Sequence, residues 1–342
     1  MARGLAMESS LRRNVPGEMR LYVLCLDESA YECLQALRLP GVVPVRLETL
    51  ERDCPDLRAA KGSRTKVEYY FTCTPVWVKY LLNQCPEAEV LTYVDADLFF
   101  YSSVEPIFDE MQGQSVLVIP HRFPPRLAHL VKFGQYNVAF QVFRRDANAF
   151  ICLDSWRRSC LESCAENGEA GQFGDQRYLD DWPANFKGVH VLRHVGADVA
   201  PWNVEQYKFT QNHRQVLVDG IPLIFYHFQG YRQFSPALID PGLLCHGWEC
   251  PSSLVVFVHV PYVRAMQAAR LKIANSSLGA NMGKGETRGY AADDAISGAS
   301  HLYKLRFVME GHAMLCVCGG VFYSNARWLR KLFKVADSIR SS

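Results

Sequence analysis

Short apolar runs and longer stretches of helical period take turns along roughly the first 245 residues, a pattern that predicts strands alternating with helices. Residues 21–26 (LYVLCL) read as a first strand ending at Asp27. A helical pattern follows through ESAYECLQALRL, and Pro40-Gly41 stops it before a second strand at 42–45. Strand, helix and strand at this spacing form a βαβ unit, which predicts a parallel sheet covered by helices. Residues 59–84 (AAKGSRTKVEYYFTCTPVWVKYLLNQ) read as two helical segments, the second opened by Thr74 as N-cap and Pro75 at its first position. Further strands are expected at 90–94 (VLTYV), 115–119 (SVLVI), 137–143 (NVAFQVF), 189–192, 217–218 and 223–226. Ser103 is expected to cap a short helix through VEPIFDEM, and a long amphipathic helix at 146–164 sets Phe150, Leu153, Trp156 and Leu161 along a face.

Past about residue 245 the pattern fades. Residues 276–300 are rich in Gly, Ala, Ser and charge and read as a linker or long loop. The stretch NARWLRKLFKVADSIRSS, at 325–342, puts Trp328, Leu329, Leu332 and Phe333 beside Arg327, Arg330, Lys331 and Lys334. That is a basic amphipathic helix, suited either to peripheral contact with an anionic membrane surface or to docking on the rest of the protein with its charges solvated. The expected organisation is a flexible N-terminus (1–19), an α/β domain (20–245) and a mainly helical C-terminal appendage (246–342).

Composition narrows the classes. With 342 residues, 49% apolar and 12% aromatic, the chain carries a sizeable core and is not a disordered protein. A net charge of +2 gives no polyanion signature, so nucleic acid is not an expected partner. The twelve cysteines, in a chain without an export signal, read as reduced thiols. Cys33, Cys73, Cys152, Cys160 and Cys164 fall in apolar stretches as small hydrophobes, and the Cys316–Cys318 pair has no second pair at zinc-site spacing. The first twenty residues lack a signal-peptide core, and no run of about 18 apolar residues exists. The expected location is the cytoplasm, including its membrane face.

The chemistry concentrates in EVLTYVDADLFFY. A core strand delivers Asp95 and Asp97 with only Ala96 between them, and Leu98, Phe99 and Phe100 bury the exit. Two carboxylates there are costly to leave unpaired, and that end of a strand is where ligands bind in open α/β sheets. A hard divalent cation, Mn²⁺ or Mg²⁺, neutralises them and keeps positions open for phosphate oxygens. A solvated turn is the alternative for a bare D-x-D; the strand before and the aromatic run after favour the metal. His227 also follows an apolar run, and a neutral imidazole there could complete the ligand set. Gly230 would let backbone N–H groups approach a phosphate. Arg64 and Lys66 could reach diphosphate oxygens or belong to a solvated basic face. Asp27 either accepts hydrogen bonds from a nucleoside or N-caps the next helix. Neither a G-x-G-x-x-G nor a P-loop follows the first strand, which disfavours both of those nucleotide folds.

The ordered pieces LYVLCLD, RTKVEYYFTCTP, LTYVDADLFF, YNVAFQVF, GDQRYLDDW, APWN and YHFQGYR make residues 20–235 resemble a GT-A glycosyltransferase of the nucleotide-diphospho-sugar transferase superfamily, similar to glycosyltransferase family 8. The resemblance implies a Rossmann-type mixed sheet flanked by helices. It implies that Asp95, Asp97 and His227 bind the metal and, with Ala96, the donor diphosphate. The family's H-x-x-G-x-x-K matches at His227 and Gly230 and departs at Gln233, with Arg232 one residue early as a substitute phosphate partner. Asp175 and Gln176 resemble the pair beside the donor sugar's anomeric centre, ahead of Glu68, Asp180 and Asp181 as candidate catalytic groups. Asn137 and Asn203 resemble sugar-contacting positions. The implied reaction moves a sugar from a nucleotide-sugar, a UDP-sugar, to a glycan, lipid-linked or protein acceptor. Retention of configuration and a place in surface polysaccharide or lipopolysaccharide synthesis are implied by the same resemblance. Two rivals stand beside it. A haloacid-dehalogenase-like phosphatase wants its D-x-D on the first core strand, with Thr or Val where this chain has Phe99. A non-catalytic nucleotide-sugar binding protein would bind UDP without turnover.

Overall fold

The computed structural model describes residues 1–15, 17–165, 173–235, 238–243, 246–247, 250–276, 314–317 and 320–323. Its first element is helix α1 (Ala2–Asn14), with Leu5, Ala6, Met7 and Leu11 buried. The flexible N-terminus expected at 1–19 is therefore mostly an ordered helix, held by an apolar face too short to stand out in the sequence. The expected βαβ unit follows. Strand β1 (Leu21–Cys25) pairs in parallel with β2 (Val42–Arg46), and helix α2 (Glu28–Leu37) makes the crossover. Helices α3 (Leu47–Asp53) and α4 (Pro55–Ala60) lead to α5 (Lys66–Gln84), which is one continuous helix. The expected break at Thr74-Pro75 does not occur: a capping box between Thr65 and Glu68 starts the helix, and Pro75 lies buried in its interior.

Strands β3 (Val90–Val94), β4 (Leu98–Phe100), β5 (Val116–Pro120), β6 (Tyr136–Arg144) and β7 (Val189–Val191) come next, with α6 (Glu105–Met111), α7 (Ala147–Glu162) and α8 (Trp182–Asn185) between them. The main sheet has the order β3-β6-β5-β7, mixed in direction, with β5 and β7 parallel. Strand geometry sends alternate side chains to opposite faces, and in β5 both faces are buried. Val116 and Val118 pack with Val78 and Leu82 of α5 and Leu153 and Trp156 of α7. Leu117 and Ile119 pack with Ile107 and Met111 of α6 and Met7 and Leu11 of α1. A strand covered on both sides reads as a continuous apolar run, which is why SVLVI was legible. The α/β class, with helices flanking a mixed sheet and a helical segment after it, matches the expectation.

Smaller strands follow: β8 (Phe209–Asn212), β9 (Gln215–Val218), β10 (Ile221–Pro222), β11 (Phe225–His227), β12 (Arg232–Ser235) and β13 (Leu238–Asp240). Helix α9 (Ser252–Leu254), a π-helical turn (Val255–His259) and α10 (Val260–Ala274) form the C-terminal helical segment. Strands β14 (Met314–Val317) and β15 (Gly320–Tyr323) extend β12-β13 into an antiparallel sheet. The boundary expected near 245 does not separate two cores. Val258, Tyr262, Val263 and Met266 share one cluster with Leu5 and Ala6 of α1 and with Phe99, Tyr226 and Phe228. Nearly all of the loop expected at 276–300, and the whole basic helix at 325–342, lie outside the described residues. Among the described residues, no helix is long and apolar enough to cross a membrane.

Candidate functional site

Chain order and sheet pairing together build the site. After β3 the chain makes a tight turn: the Asp95 amide donates to the Ala139 carbonyl of β6 at 2.9 Å, and Leu98 N–H reaches back to the Asp95 carbonyl. Strand β4 then pairs antiparallel with β11, placing His227 opposite Leu98. The Phe228 amide closes the ladder on the Asp97 carbonyl at 2.9 Å. His227 Nε2 thereby comes within 3.2 Å of Asp97 Oδ1. One ligand atom from each of Asp95, Asp97 and His227 lies within 4.8 Å of the other two. The sequence reading predicted these three side chains as one set, and the structure brings them together.

The surroundings fix the side chains of Asp95 and His227. Tyr93, two residues before Asp95 on the same strand, donates its hydroxyl to Asp95 Oδ1 at 2.7 Å. On the far side of the imidazole, His227 Nδ1 lies 3.4 Å from Asp198 Oδ1. Asp198 is 1% exposed and sits at φ 55°, a left-handed conformation unusual for a non-glycine residue. Its backbone is held there by Asn203, whose Nδ2 donates to the Asp198 and His121 carbonyls while its Oδ1 accepts from the Ala200 amide. Burial and the Asp97 charge push Asp95 up to about 6 against the opposing pull of His227. Burial would raise Asp97 as well, but His227 and Arg3 outweigh it and hold that carboxyl below its usual range. Burial works to strip the proton from His227, yet Asp97 and Asp198 hold it there well above the usual imidazole range. Two carboxylates and an imidazole, the latter backed by a carboxylate, suit a divalent cation with open coordination positions.

Asp175 is buried next to this cluster: burial and the Asp95 charge push it up to about 7, and the Thr74 hydroxyl pulls the other way. Its backbone carbonyl accepts from Trp156 Nε1 at 2.8 Å. Gln176 beside it donates to the Phe133 carbonyl at 2.8 Å, and its side chain packs on Gly134. Ala96 is exposed, and a Cβ on Gly4 of α1 would lie 3.9 Å from the Ala96 Cβ.

Other expected site residues are engaged within the protein. Asp27 N-caps α2, accepting from the Ala30 amide at 2.8 Å and from Ser29 Oγ at 2.6 Å. Lys66 lies over the Tyr70 ring and within the field of Asp27. Arg64 donates to the Cys160 and Leu161 carbonyls at the end of α7. Asn137 contacts His121 Nε2 at 3.1 Å and accepts from the Ala139 amide at 2.6 Å. The amide of Asn203, as above, bonds inward on both its nitrogen and its oxygen. Gly230 adopts φ 73° and packs on the Gly242 backbone, while Arg232 pairs across the sheet with Asp240. Glu68 closes the α5 capping box, and Asp180 accepts from the Gln135 amide. Sequence reasoning missed Tyr93, Asp198 and Arg3. The i, i+2 spacing of Tyr93 and Asp95 was a readable signal; Asp198, an acid inside GADVAPWN, was a weaker one.

No family model matches the chain. The uncharacterized protein YfnD of Bacillus subtilis is 38% identical over 250 residues, which span 72% of this chain and 79% of YfnD. The uncharacterized protein YfnF of the same bacterium is 37% identical over 236 residues, 67% of this chain and 77% of YfnF. Among solved structures, the apo form of mouse xyloside xylosyltransferase 1 aligns over 67% of this chain and 91% of its own, with 15% identity and a TM-score of 0.43. A glycosyltransferase involved in glycosylation of the major capsid of PBCV-1 aligns over 63% and 94%, with 10% identity and a TM-score of 0.37. Likeness at that level leaves the fold to be argued from its own elements.

Proposed function

We propose that this chain, which belongs to the same family as YfnD and YfnF of Bacillus subtilis, is a metal-dependent glycosyltransferase. Its donor is a nucleoside-diphosphate sugar, a UDP-sugar by the resemblance of its motifs, and its acceptor a hydroxyl of a glycan, lipid-linked or protein molecule. The observation that carries the proposal is the meeting of Asp95, Asp97 and His227, drawn from distant parts of the chain to one point. Such a set suits the departure of a diphosphate from a sugar carbon. A divalent cation held there supplies Lewis-acid stabilisation of the negative charge that builds on the leaving phosphate.

The chain's own residues prepare that event. Tyr93 fixes the Asp95 carboxylate by its hydrogen bond. Asp198, at Nδ1 of His227, favours the tautomer that carries its proton on that nitrogen and leaves the Nε2 lone pair for a cation shared with Asp97. Asp175, beside Asp95, is the carboxylate assigned to the sugar end, with Gln176 holding the Phe133-Gly134 turn next to it. Ala96, exposed between the two aspartates, is assigned to the donor diphosphate with them. Retention of configuration rests on the family 8 resemblance.

Titration calorimetry of the full chain with UDP, with and without Mn²⁺, tests the reading. We expect Mn²⁺-dependent binding that Asp95→Ala abolishes, followed by slow hydrolysis of one or more UDP-sugars that depends on Asp97. Binding of UDP without hydrolysis or transfer of any sugar would favour a nucleotide-sugar sensor instead.

A further inference from the structure

The site has a cation of its own that comes from outside the segment bearing the D-x-D. Helix α1 ends its N-terminal turn against the site: Arg3 Nη1 lies 3.9 Å from Asp97 Oδ2, and Nη2 donates to the Tyr231 carbonyl. Tyr231 directly follows Gly230, in the stretch that returns from His227. The Arg3 side chain remains 37% exposed, so it lines the site and is not sealed beneath it. A second guanidinium approaches from α10, where Arg270 donates to Gln233 Oε1 on β12. The Tyr262 ring, stacked on Phe228 at 3.6 Å, lies where Arg3, Asp97 and Arg270 all act on its hydroxyl.

Charge makes this arrangement informative. A guanidinium and a divalent cation on the same carboxylate repel each other, and a second anion bound between them would relieve that repulsion. Arginine is also the side chain whose planar fork matches phosphate oxygens. We infer that Arg3 is a donor-binding residue, gripping the diphosphate whose other oxygens face the cation on Asp95, Asp97 and His227. The inference rests on the proposed donor site. It means that α1 forms one wall of that site.

The test compares the full-length wild type with Arg3→Gln, Arg3→Lys and Arg12→Gln. Arg12 sits on the same helix but pairs with Glu8 and the Pro40 carbonyl, so it controls for damage to α1. Three probes are titrated: Mn²⁺ alone, inorganic pyrophosphate with saturating Mn²⁺, and UDP with saturating Mn²⁺. We expect Arg3→Gln to weaken pyrophosphate and UDP by about tenfold or more. Mn²⁺ alone should bind Arg3→Gln as well as or better than wild type. Arg3→Lys should fall between, and Arg12→Gln should match wild type. Undiminished pyrophosphate and UDP binding by Arg3→Gln would overturn the inference, leaving Arg3 as no more than the ion-pair partner of Asp97. Equal losses in Arg12→Gln would overturn it too, by tracing the effect to the helix as a whole. A wild type that binds Mn²⁺ but neither pyrophosphate nor UDP would instead overturn the donor-site reading on which the inference stands.

Discussion

At the scale of single residues, a cation at this site would have to compete with protons. Asp95 is held up to about 6 by burial first and the Asp97 charge second, while His227 keeps its proton well above the usual range. Both protons must leave before the ligand atoms can bind metal. Below about pH 6 two protons are released per cation bound, so Mn²⁺ affinity should fall about a hundredfold for each unit of acidification. Above that point the His227 proton alone opposes the cation, and the dependence on pH should be shallower. Mn²⁺ titrations between about pH 5 and 8 measure both slopes; a flat profile would remove the proton exchange. Asp198→Asn keeps the shape but not the charge behind Nδ1, and Mn²⁺ affinity should drop about tenfold to a hundredfold. Titration of that variant at its affinity plateau checks this, with unchanged affinity counting against a positioning role. The sequence disclosed the aspartates because they end an apolar strand, and His227 because it does the same. Arg3 was hidden, and Asp198 only faintly marked by GADVAPWN, because their meaning lies in what they touch far along the chain.

At the scale of elements, alternation and capping were the readable signals. Strand β5 was plain because both its faces are buried, and α2 because Asp27 caps it while Pro40-Gly41 follows its end. Helix α5 was misread because proline is so common at the first position of helices that Thr74-Pro75 resembles a start. Here Thr65 and Glu68 make the start instead, and Val76, Val78, Leu81 and Leu82 pack the rest of the helix into the core. That burial outweighs the missing Pro75 N–H. Removing the true cap should therefore matter more than the sequence suggested. Thr65→Ala is expected to cost about 1 kcal/mol, read as a lower urea midpoint at unchanged slope. No loss would mean that packing alone sets the start of α5.

At the scale of the whole molecule, the first and last described helices meet in one core that also holds Phe99 and Phe228, close along the chain to Asp97 and His227. The sequence placed them in separate regions, since neither α1 nor α10 has a strong enough apolar stripe to announce a distant partner. Leu5 is 5% exposed in that core, and Leu5→Ala should cost about 2–5 kcal/mol of stability while also loosening the helix that carries Arg3. Thermal unfolding would show it, and a midpoint equal to wild type would mean that α1 is dispensable. The antiparallel pair β4-β11 has a wider reach. It joins two stretches of chain with most of the sheet threaded between them, so an ion held by Asp97 and His227 is a removable cross-link closing a long loop. Its binding energy then counts toward the fold: at a hundredfold excess over the dissociation constant, about 2.7 kcal/mol. Loaded and stripped forms of one chain should differ in how readily a protease can open them, and a toughness that rises with Mn²⁺ concentration would record the knot being tied.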